Sequence, residues 1–523
     1  MFTLSAGPGA MRHHAAMTLD DSDFVALPDL VARHAAARPD TPALRCGAQS
    51  LPWRSLHERA DRVAALLQSR GLGPGDTAAL CAASSIDAVV AFIGTLRAGL
   101  AMVPLAPGST PAQLAAMAAD AGVRVLFGDA AADGVPWPAG VARVALGAEP
   151  AVLDAALPPA GTRPHAVAIQ PGWPFNIIYS SGTTGTPKGI VQPHAMRWAH
   201  IRRAAAAGYG PDAVTLIATP LYSNTTLVCL IPTLAYGGCV VLMPKFDARG
   251  YLELAQAHRA THTMLVPVQY RRLMDLPDFD RFDLASFRQK LCTSAPFPAE
   301  LKADVLRRWP GGLSEYYGLT EGGGTCILHA HLHPGKLHTV GTPAEGHDIR
   351  LIDEAGRELP PGATGEVVGR SPGMMSGYHG RPDLTREAEW FDAEGRRFLR
   401  TGDIGRFDED GFLVLMDRRK DMIISGGFNI YPSDLEAVLR RHPAVADAAV
   451  VGVPSREWGE TPVAFCVRRE GAALQAEALR EWVNAQVGKT QRLADLRWLD
   501  ELPRSAIGKV LKRELRAAYA AAG

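Results

Sequence analysis

Over residues 56–126 the apolar pattern of this chain changes period repeatedly, and few folds tolerate that. Leu56, Ala60, Val63 and Leu67 recur at helical spacing until Gly71 ends the run. The apolar stretch Thr77–Cys81 follows. Helical spacing then covers 88–97, an extended stretch 101–105, a helix 111–121 and another extended stretch 123–126. The same alternation returns at 214–218, 239–243, 263–266 and 290–293, short β-type runs separated by helical segments. Short apolar strands joined by helices read as parallel sheets, because a parallel pair needs a long crossover. The expected fold class is α/β, with a large N-terminal domain of parallel α/β sheets.

The character changes near residue 340. Runs at 349–352, 365–369 and 412–416 read as short strands between Gly and Asp turns, a small β-rich subdomain at about 340–416. Beyond the basic stretch 417–421, Ser-Asp-Leu-Glu at 433–436 reads as a capping box opening a helix. Strands at 446–452 and 463–468 and a helix at 476–486 complete a small α+β unit. The expected organisation is a flexible tail at 1–25, an N-terminal domain at 26–416, a linker at 417–421 and a C-terminal domain at 422–523.

Composition narrows the class. Lys+Arg and Asp+Glu both number 54, so nothing favours nucleic acid or an acidic membrane surface as a partner. The seven cysteines are scattered without a CxxC, which reads as reduced core thiols in a cytoplasmic protein. No run approaches the ~20 apolar residues of a membrane helix. The N-terminal segment lacks a signal peptide's basic start and apolar core.

The stretch YSSGTTGTPKGI at 179–190 follows the apolar run Phe175-Asn-Ile-Ile178. Glycines allow backbone N–H groups to approach closely, hydroxyls donate to oxygens, and Lys188 supplies charge; this chemistry suits a polyphosphate. It is not the GxxxxGK[ST] loop of the nucleoside triphosphatases. Further stretches occur in order: LRAGLAMVPL at 96–105, YYGLTE at 316–321, GE at 365–366 through GY at 377–378, RTGD at 400–403, DRRKDMIISGGFNIYP at 417–432 and PRSAIGK at 503–509. Together with the glycine-rich loop this set resembles the adenylate-forming superfamily of acyl- and aryl-CoA synthetases, peptide-synthetase adenylation domains and luciferases. The resemblance spans residues 28–516.

The resemblance implies an AMP-forming acid–thiol ligase. A carboxylate attacks the α-phosphate of ATP to give an acyl-adenylate, and a thiol then expels AMP. Ser181, Gly182, Thr183, Thr184, Gly185 and Lys188 would hold the phosphates, with Thr184 and Lys188 among the catalytic groups. Glu321, with Thr184, would hold Mg²⁺. Ser294, Ala295, Tyr316, Tyr317, Gly318 and Thr320 would line the nucleotide site, with Thr320 at the α-phosphate and Tyr317 near adenine. Asp403 and Arg418 would bind ribose, and Lys509 would bridge carboxylate and α-phosphate as the main catalytic residue. Lys420 matches the family's hinge, about which a mobile C-terminal domain rotates between half-reactions. Ser425, Gly426, Gly427 and Trp458 would then face CoA.

The acid pocket is expected from Tyr222, Ser223, Val228, Val266, Ser294, Ala295, Gly322, Gly323 and Gly324. Ser223 stands where the family often has histidine. No acidic residue lies between Pro220 and Lys245, and a buried unpaired ammonium would cost several kcal/mol, so amino acids are not expected. Three glycines after Glu321 suggest room for a bulky apolar acid, fatty or aryl. ATP and CoA are the expected co-substrates, and a homodimer is compatible with the reading. The competing readings are an acyl-AMP ligase that loads a carrier protein and a non-catalytic ATP- or adenylate-binding protein.

Overall fold

The computed structural model describes residues 24–147, 150–180, 188–418, 421–425, 428–430, 432–455, 459–487, 491–505 and 508–521. Among these residues the first sheet runs, in spatial order, Gly377–Tyr378, Lys188–Pro193, Pro174–Ser180, Ala101–Pro104, Thr77–Cys81, Val123–Gly128 and Ala142–Ala145. From Pro174–Ser180 onward the neighbours are parallel. Thr77–Cys81 is buried along its whole length, as a strand covered by helices on both faces must be. The helix Ile86–Arg97 starts on Ser85, whose side chain accepts a hydrogen bond from the Ala88 N–H. Its Val89, Phe92 and Leu96 pack with Trp53, Leu56 and Val63 in the main core.

The second sheet runs Thr342–Pro343, Gly322–His329, Gly312–Leu319, Gln289–Cys292, His262–Leu265, Val214–Ile217, Cys239–Leu242, Pro42–Cys46 and Gln49–Pro52. Its interior pairs, from Gly312–Leu319 to Pro42–Cys46, are all parallel. The α/β class expected from the alternating pattern is the class observed. That pattern did not reveal the antiparallel hairpin of Gly312–Leu319 with Gly322–His329. Five glycines in those two strands dilute the β-type signal.

A smaller antiparallel sheet follows, ordered Asp348–Ile352, Thr364–Arg370, Arg397–Phe407 and Glu389–Phe391, with Leu413–Arg418 also paired to Arg397–Phe407. The C-terminal residues have a core of their own around Leu435, Leu439, Val450, Ala464, Leu479 and Val483. The capping box expected at 433–436 does not form as such, because the helix Pro432–Arg440 already includes Ser433. Glu436 instead accepts from the Val450 N–H at 2.9 Å and pairs with Lys512 at 3.0 Å. None of the seven cysteines is in a disulfide. Among the described residues no helix is long and apolar enough to cross a membrane.

Candidate active site

Ligands of open parallel sheets bind beyond the carboxyl ends of the strands. The residues singled out in the sequence gather at that edge of the second sheet. Tyr222 and Ser223 follow Val214–Ile217, Val266 follows His262–Leu265, Ser294 and Ala295 follow Gln289–Cys292, and Thr320 and Glu321 follow Gly312–Leu319. Strand Pro174–Ser180 of the first sheet ends at the glycine-rich loop. Ser181, Gly182, Thr183, Thr184 and Gly185 lie outside the described residues. The next strand, Lys188–Pro193, returns antiparallel with Ser180 opposite Lys188. A hairpin therefore flanks the loop, where a triphosphatase P-loop would open a helix.

Lys188, Tyr378 and Glu321 form one chain of contacts. The Lys188 ammonium sits 5.3 Å from the centre of the Tyr378 ring. The Tyr378 hydroxyl donates to Glu321 Oε1 at 2.9 Å. Burial, and secondly the Glu321 carboxylate, push the Tyr378 phenol well above its usual pKa. Tyr378 is brought alongside by pairing of Gly377–Tyr378 with Lys188–Pro193. The Glu321 carbonyl accepts from the Met375 N–H at 2.8 Å, which fixes the turn carrying Thr320 and Glu321. Thr320 is also held from behind, because Gln192 Nε2 donates to its carbonyl at 2.6 Å.

On the other side of the hairpin the Tyr317 hydroxyl donates to Asp403 Oδ2 at 2.9 Å. Burial first, then Asp403, raises the Tyr317 phenol well above its usual pKa. Asp403 and Arg418 are opposite one another in adjacent antiparallel strands; the Arg418 side chain lies outside the described residues. Gly318 is exposed beside this pair. Tyr316 does not join them. Side chains alternate faces along a strand, so Tyr317 packs towards Cys326, Leu351 and Val367 while Tyr316 packs with Val228, Cys229 and Met264. Grouped with the nucleotide residues in the sequence reading, Tyr316 belongs to the opposite face.

The pocket positions hold two further corrections. A Cβ on Gly322 would run into the carbonyl of Gly373 at a φ of +81°; one on Gly323 would stand 2.9 Å from the Gly369 carbonyl, and one on Gly324 2.5 Å from Ile349 Cγ1. The room the three glycines leave is filled by the small antiparallel sheet and the loop beside it. It is not open for a bulky acid on that side. Ser223 is buried, and its hydroxyl accepts from the Thr225 N–H at 3.3 Å, capping the helix Asn224–Ala235. Thr225 Oγ1 in turn is 2.6 Å from Ser294 Oγ, and Ser294 holds a positive φ of 83°. Such backbone strain collects at functional sites. Val228 and Tyr222 are half-buried and Val266 is buried.

The second correction is charge. The sequence around Tyr222 carries none, but the helix His194–Ala204 brings three basic side chains to the same place. Arg197 is almost fully buried and donates to Asn176 Oδ1 at 2.8 and 3.1 Å, to Asn224 Oδ1 at 2.9 Å and to Gln192 Oε1. Burial lowers its pKa to about 9. Arg203 lies over the Tyr316 ring, 5.8 Å from its centre. His200 and His347 stand with them. The sequence trace of this network is a polar residue inside an apolar strand, Asn176 within Phe-Asn-Ile-Ile.

The C-terminal unit reaches the site through the turn before Lys509. Gly508 has a φ of +77°, and a Cβ there would stand 2.8 Å from Val268 Cγ1 and 4.0 Å from Val266 Cγ2. The Ser505 N–H donates to the Lys509 carbonyl at 2.8 Å, and the Lys509 N–H donates to Ser505 Oγ at 3.2 Å. Lys509 is thus held on a short closed turn whose glycine rests against the pocket wall. Ser425 is buried and pairs with Gly459. Lys420, Gly426, Gly427 and Trp458 lie outside the described residues. Among those described, no group of three or more His, Cys, Asp or Glu side chains forms a ready metal cage.

The profile of the AMP-binding enzyme family matches residues 31–379, and that of the AMP-binding enzyme C-terminal domain matches residues 434–509. The chain belongs to the AMP-binding enzyme family. Its relatives include a fatty acid–[acyl-carrier-protein] ligase of Streptomyces coeruleorubidus, 33% identical over 92% of this chain and 94% of that protein. A feruloyl-CoA synthase of an Amycolatopsis species is 33% identical over 92% of this chain and 97% of its own length. Among solved structures, the o-succinylbenzoate CoA synthetase of Bacillus subtilis in complex with its acyl-adenylate superposes with a TM-score of 0.83 at 27% identity, covering 94% of this chain and 99% of that one. As an AMP-binding enzyme of this kind the protein is an AMP-forming acid–thiol ligase.

Proposed function

We propose that the enzyme is an ATP-dependent acyl-CoA ligase acting on a fatty or aryl acid. A carboxylate oxygen bonds to the α-phosphorus of ATP, the bond to the β-phosphate oxygen breaks, and pyrophosphate leaves. The CoA thiol then loses its proton, sulfur bonds to the acyl carbon, and the bond to AMP breaks. Both steps depend on alignment and on groups preset for developing charge.

Residues 181–185 and Lys188 hold the β- and γ-phosphates, and Thr320, fixed by Gln192, meets the α-phosphate. Asp403, steadied by Tyr317, accepts from the ribose hydroxyls, with Arg418 beside it. Ser294 and Ala295 close the same edge. The Glu321 carboxylate is oriented by the hydrogen bond from Tyr378, which fits a hard cation bound by one or two carboxylates and phosphate oxygens. Glu321 and Thr184 would hold Mg²⁺, whose charge would offset that of the phosphates. Residues 26–416 form the adenylation domain and 422–523 a mobile domain that turns at 417–421 about Lys420. In one orientation Lys509 bridges carboxylate and α-phosphate. In the other, Ser425, Gly426, Gly427 and Trp458 meet CoA.

The observation that supports this reading most is the seat of Gly508 on Val268 and Val266, which brings Lys509 to the carboxyl edge of the second sheet. Acid-dependent ATP–pyrophosphate exchange, followed by acid- and CoA-dependent AMP release, tests it. A second reading keeps the adenylate and passes the acyl group to a carrier protein, favoured by the similarity to the Streptomyces ligase. Exchange that survives with no thioester formed from CoA, but with acyl transfer to a carrier protein, would select it.

A further inference from the structure

A buried cation without a counter-charge is costly, by several kcal/mol, and this enzyme gathers two arginines and two histidines in one place. Arg197, His200 and Arg203 lie on the helix His194–Ala204, and His347 approaches from the start of the small sheet. His200 Nδ1 is 3.5 Å from the Arg197 guanidinium. The His347 Nδ1 accepts from the Thr325 N–H at 2.9 Å, and Arg203 reaches the Thr325 hydroxyl at 3.5 Å. Among the described residues no carboxylate pairs with any of the four.

The groups differ in how well they are satisfied. Arg197 is saturated by the three amide side chains of Asn176, Gln192 and Asn224. Arg203 has five donors to place. Among the described residues it has one hydrogen bond, the long contact to Thr325, and the face of Tyr316. Burial lowers the pKa of Arg203. It lowers that of His200 far more, helped by Arg203, Arg197 and His347. His347 falls to about 4 through burial and then Arg203. The two guanidiniums carry the positive charge of the site, and among the described residues no carboxylate answers it. Arg203, His200, Tyr316, Thr325 and His347 nevertheless each keep some accessible surface.

Position decides which anion is expected. Arg197 connects through Gln192 to Thr320, at the reacting end. Arg203 lies six residues further along the helix, about 9 Å at 1.5 Å per residue. Thr325 lies four residues past Glu321 along its strand, about 13 Å when extended. Tyr316 joins Arg203 to Val228 on the pocket wall. By these spacings the cluster stands away from the reacting end, beside Val228 of the expected acid pocket.

We infer that the acid carries a second oxyanion, a carboxylate, at the end remote from the reacting carboxyl, and that Arg203 receives it with His200 and His347 alongside. This rests on the ligase reading and narrows it: the body of the acid is aliphatic or aryl, but its tip is charged. A guanidinium meets a carboxylate with two parallel hydrogen bonds, which would fill the donors that Thr325 leaves.

The test is ATP–pyrophosphate exchange with matched acids: hexanoate to decanoate against the corresponding α,ω-diacids, and benzoate and 3-phenylpropanoate against their para-carboxy forms. The wild-type enzyme should favour one or more carboxy-tipped acids at least tenfold in kcat/KM over the plain partner. Arg203→Met should erase that preference by raising KM for the tipped acid at least tenfold, with KM for the plain acid changed less than threefold. Plain acids used as well or better throughout by the wild-type enzyme would overturn the inference while leaving the ligase reading intact. That comparison holds even if the variant does not fold. Equal losses on both acids in a folded Arg203→Met would also overturn it. Exchange with no acid at all would remove the ligase reading, and this inference with it.

Discussion

Gly508→Ala isolates the contact that seats Lys509. Alanine at a φ of +77° costs about 1–2 kcal/mol, but that strain belongs to the turn and is present wherever the C-terminal unit sits. The new Cβ would also lie 2.8 Å from Val268 Cγ1, well inside the optimum of about 3.5–4.0 Å for carbon pairs. That clash exists only while the turn rests on the pocket wall. Overpacking of this kind costs about 1–3 kcal/mol, so adenylation should fall about five- to over a hundredfold. Pyrophosphate exchange reports adenylation, and thioester formation from preformed acyl-adenylate reports the second step in the same preparation. The first should drop and the second should stay within about threefold. Val268→Ala removes the methyl that is struck, so the double variant should recover at least 1 kcal/mol of the loss by cycle analysis. Additive losses, or equal losses in both half-reactions, would refute the seat as the working position of Lys509.

Lys509→Ala should lower exchange by about 10²–10⁴, the loss of one partner of a desolvated charge pair at about 3–5 kcal/mol; preformed adenylate should still be converted, and a matching fall there would give Lys509 a structural role. Glu321→Gln should raise the Mg²⁺ concentration needed for half-maximal exchange with the fold intact, and an unchanged titration would remove Glu321 from the metal site. His194 packs on Phe175 with ring centres 5.0 Å apart, and burial lowers its pKa to about 4 from 6.5. Its folded pKa lies below the unfolded one, so the unfolded chain binds more protons between those values. His194 should contribute a fall in stability of about 1.4 kcal/mol per pH unit as pH drops below 6.5, on top of what other buried histidines such as His200 and His347 contribute. Amide exchange of the helix His194–Ala204 at pH 5.0 and 7.5 should show a slope shallower by about that amount in His194→Asn; an unchanged slope in the variant would assign it elsewhere.

The parts of the fold that follow from local pattern were legible. Thr77–Cys81 and the stretches at 214–293 announced parallel strands because each is short, apolar and bounded by helical spacing. The hairpin that presents Thr320 and Glu321 was not, since its glycines carry no side-chain pattern and its register is set by partners far away, Met375 among them. Residue types suited to direct chemistry, Lys188, Glu321, Asp403 and Lys509, stand out from the stretches they sit in. Faces could not. Tyr316 and Tyr317 are adjacent letters, and only strand alternation shows that they serve opposite sides. Tyr378 was seen as part of a GY pair, but its hydrogen bond to Glu321 joins residues distant in the chain. Nothing in the local sequence singles out Arg197 and Arg203. Arg197 is enclosed by Asn176, Gln192 and Asn224, and Arg203 meets Tyr316 and Thr325, long-range contacts with no local signal.

Simultaneous measurement of AMP, pyrophosphate and thioester with ATP, Mg²⁺, CoA and a panel of acids tests the central claim most directly. An AMP-forming CoA ligase should release AMP and pyrophosphate in equal amounts over many turnovers, matched one for one by acyl-CoA, and none without an acid. ADP and phosphate as products, acid-independent AMP release, or pyrophosphate that stops at about one per enzyme despite CoA would contradict it.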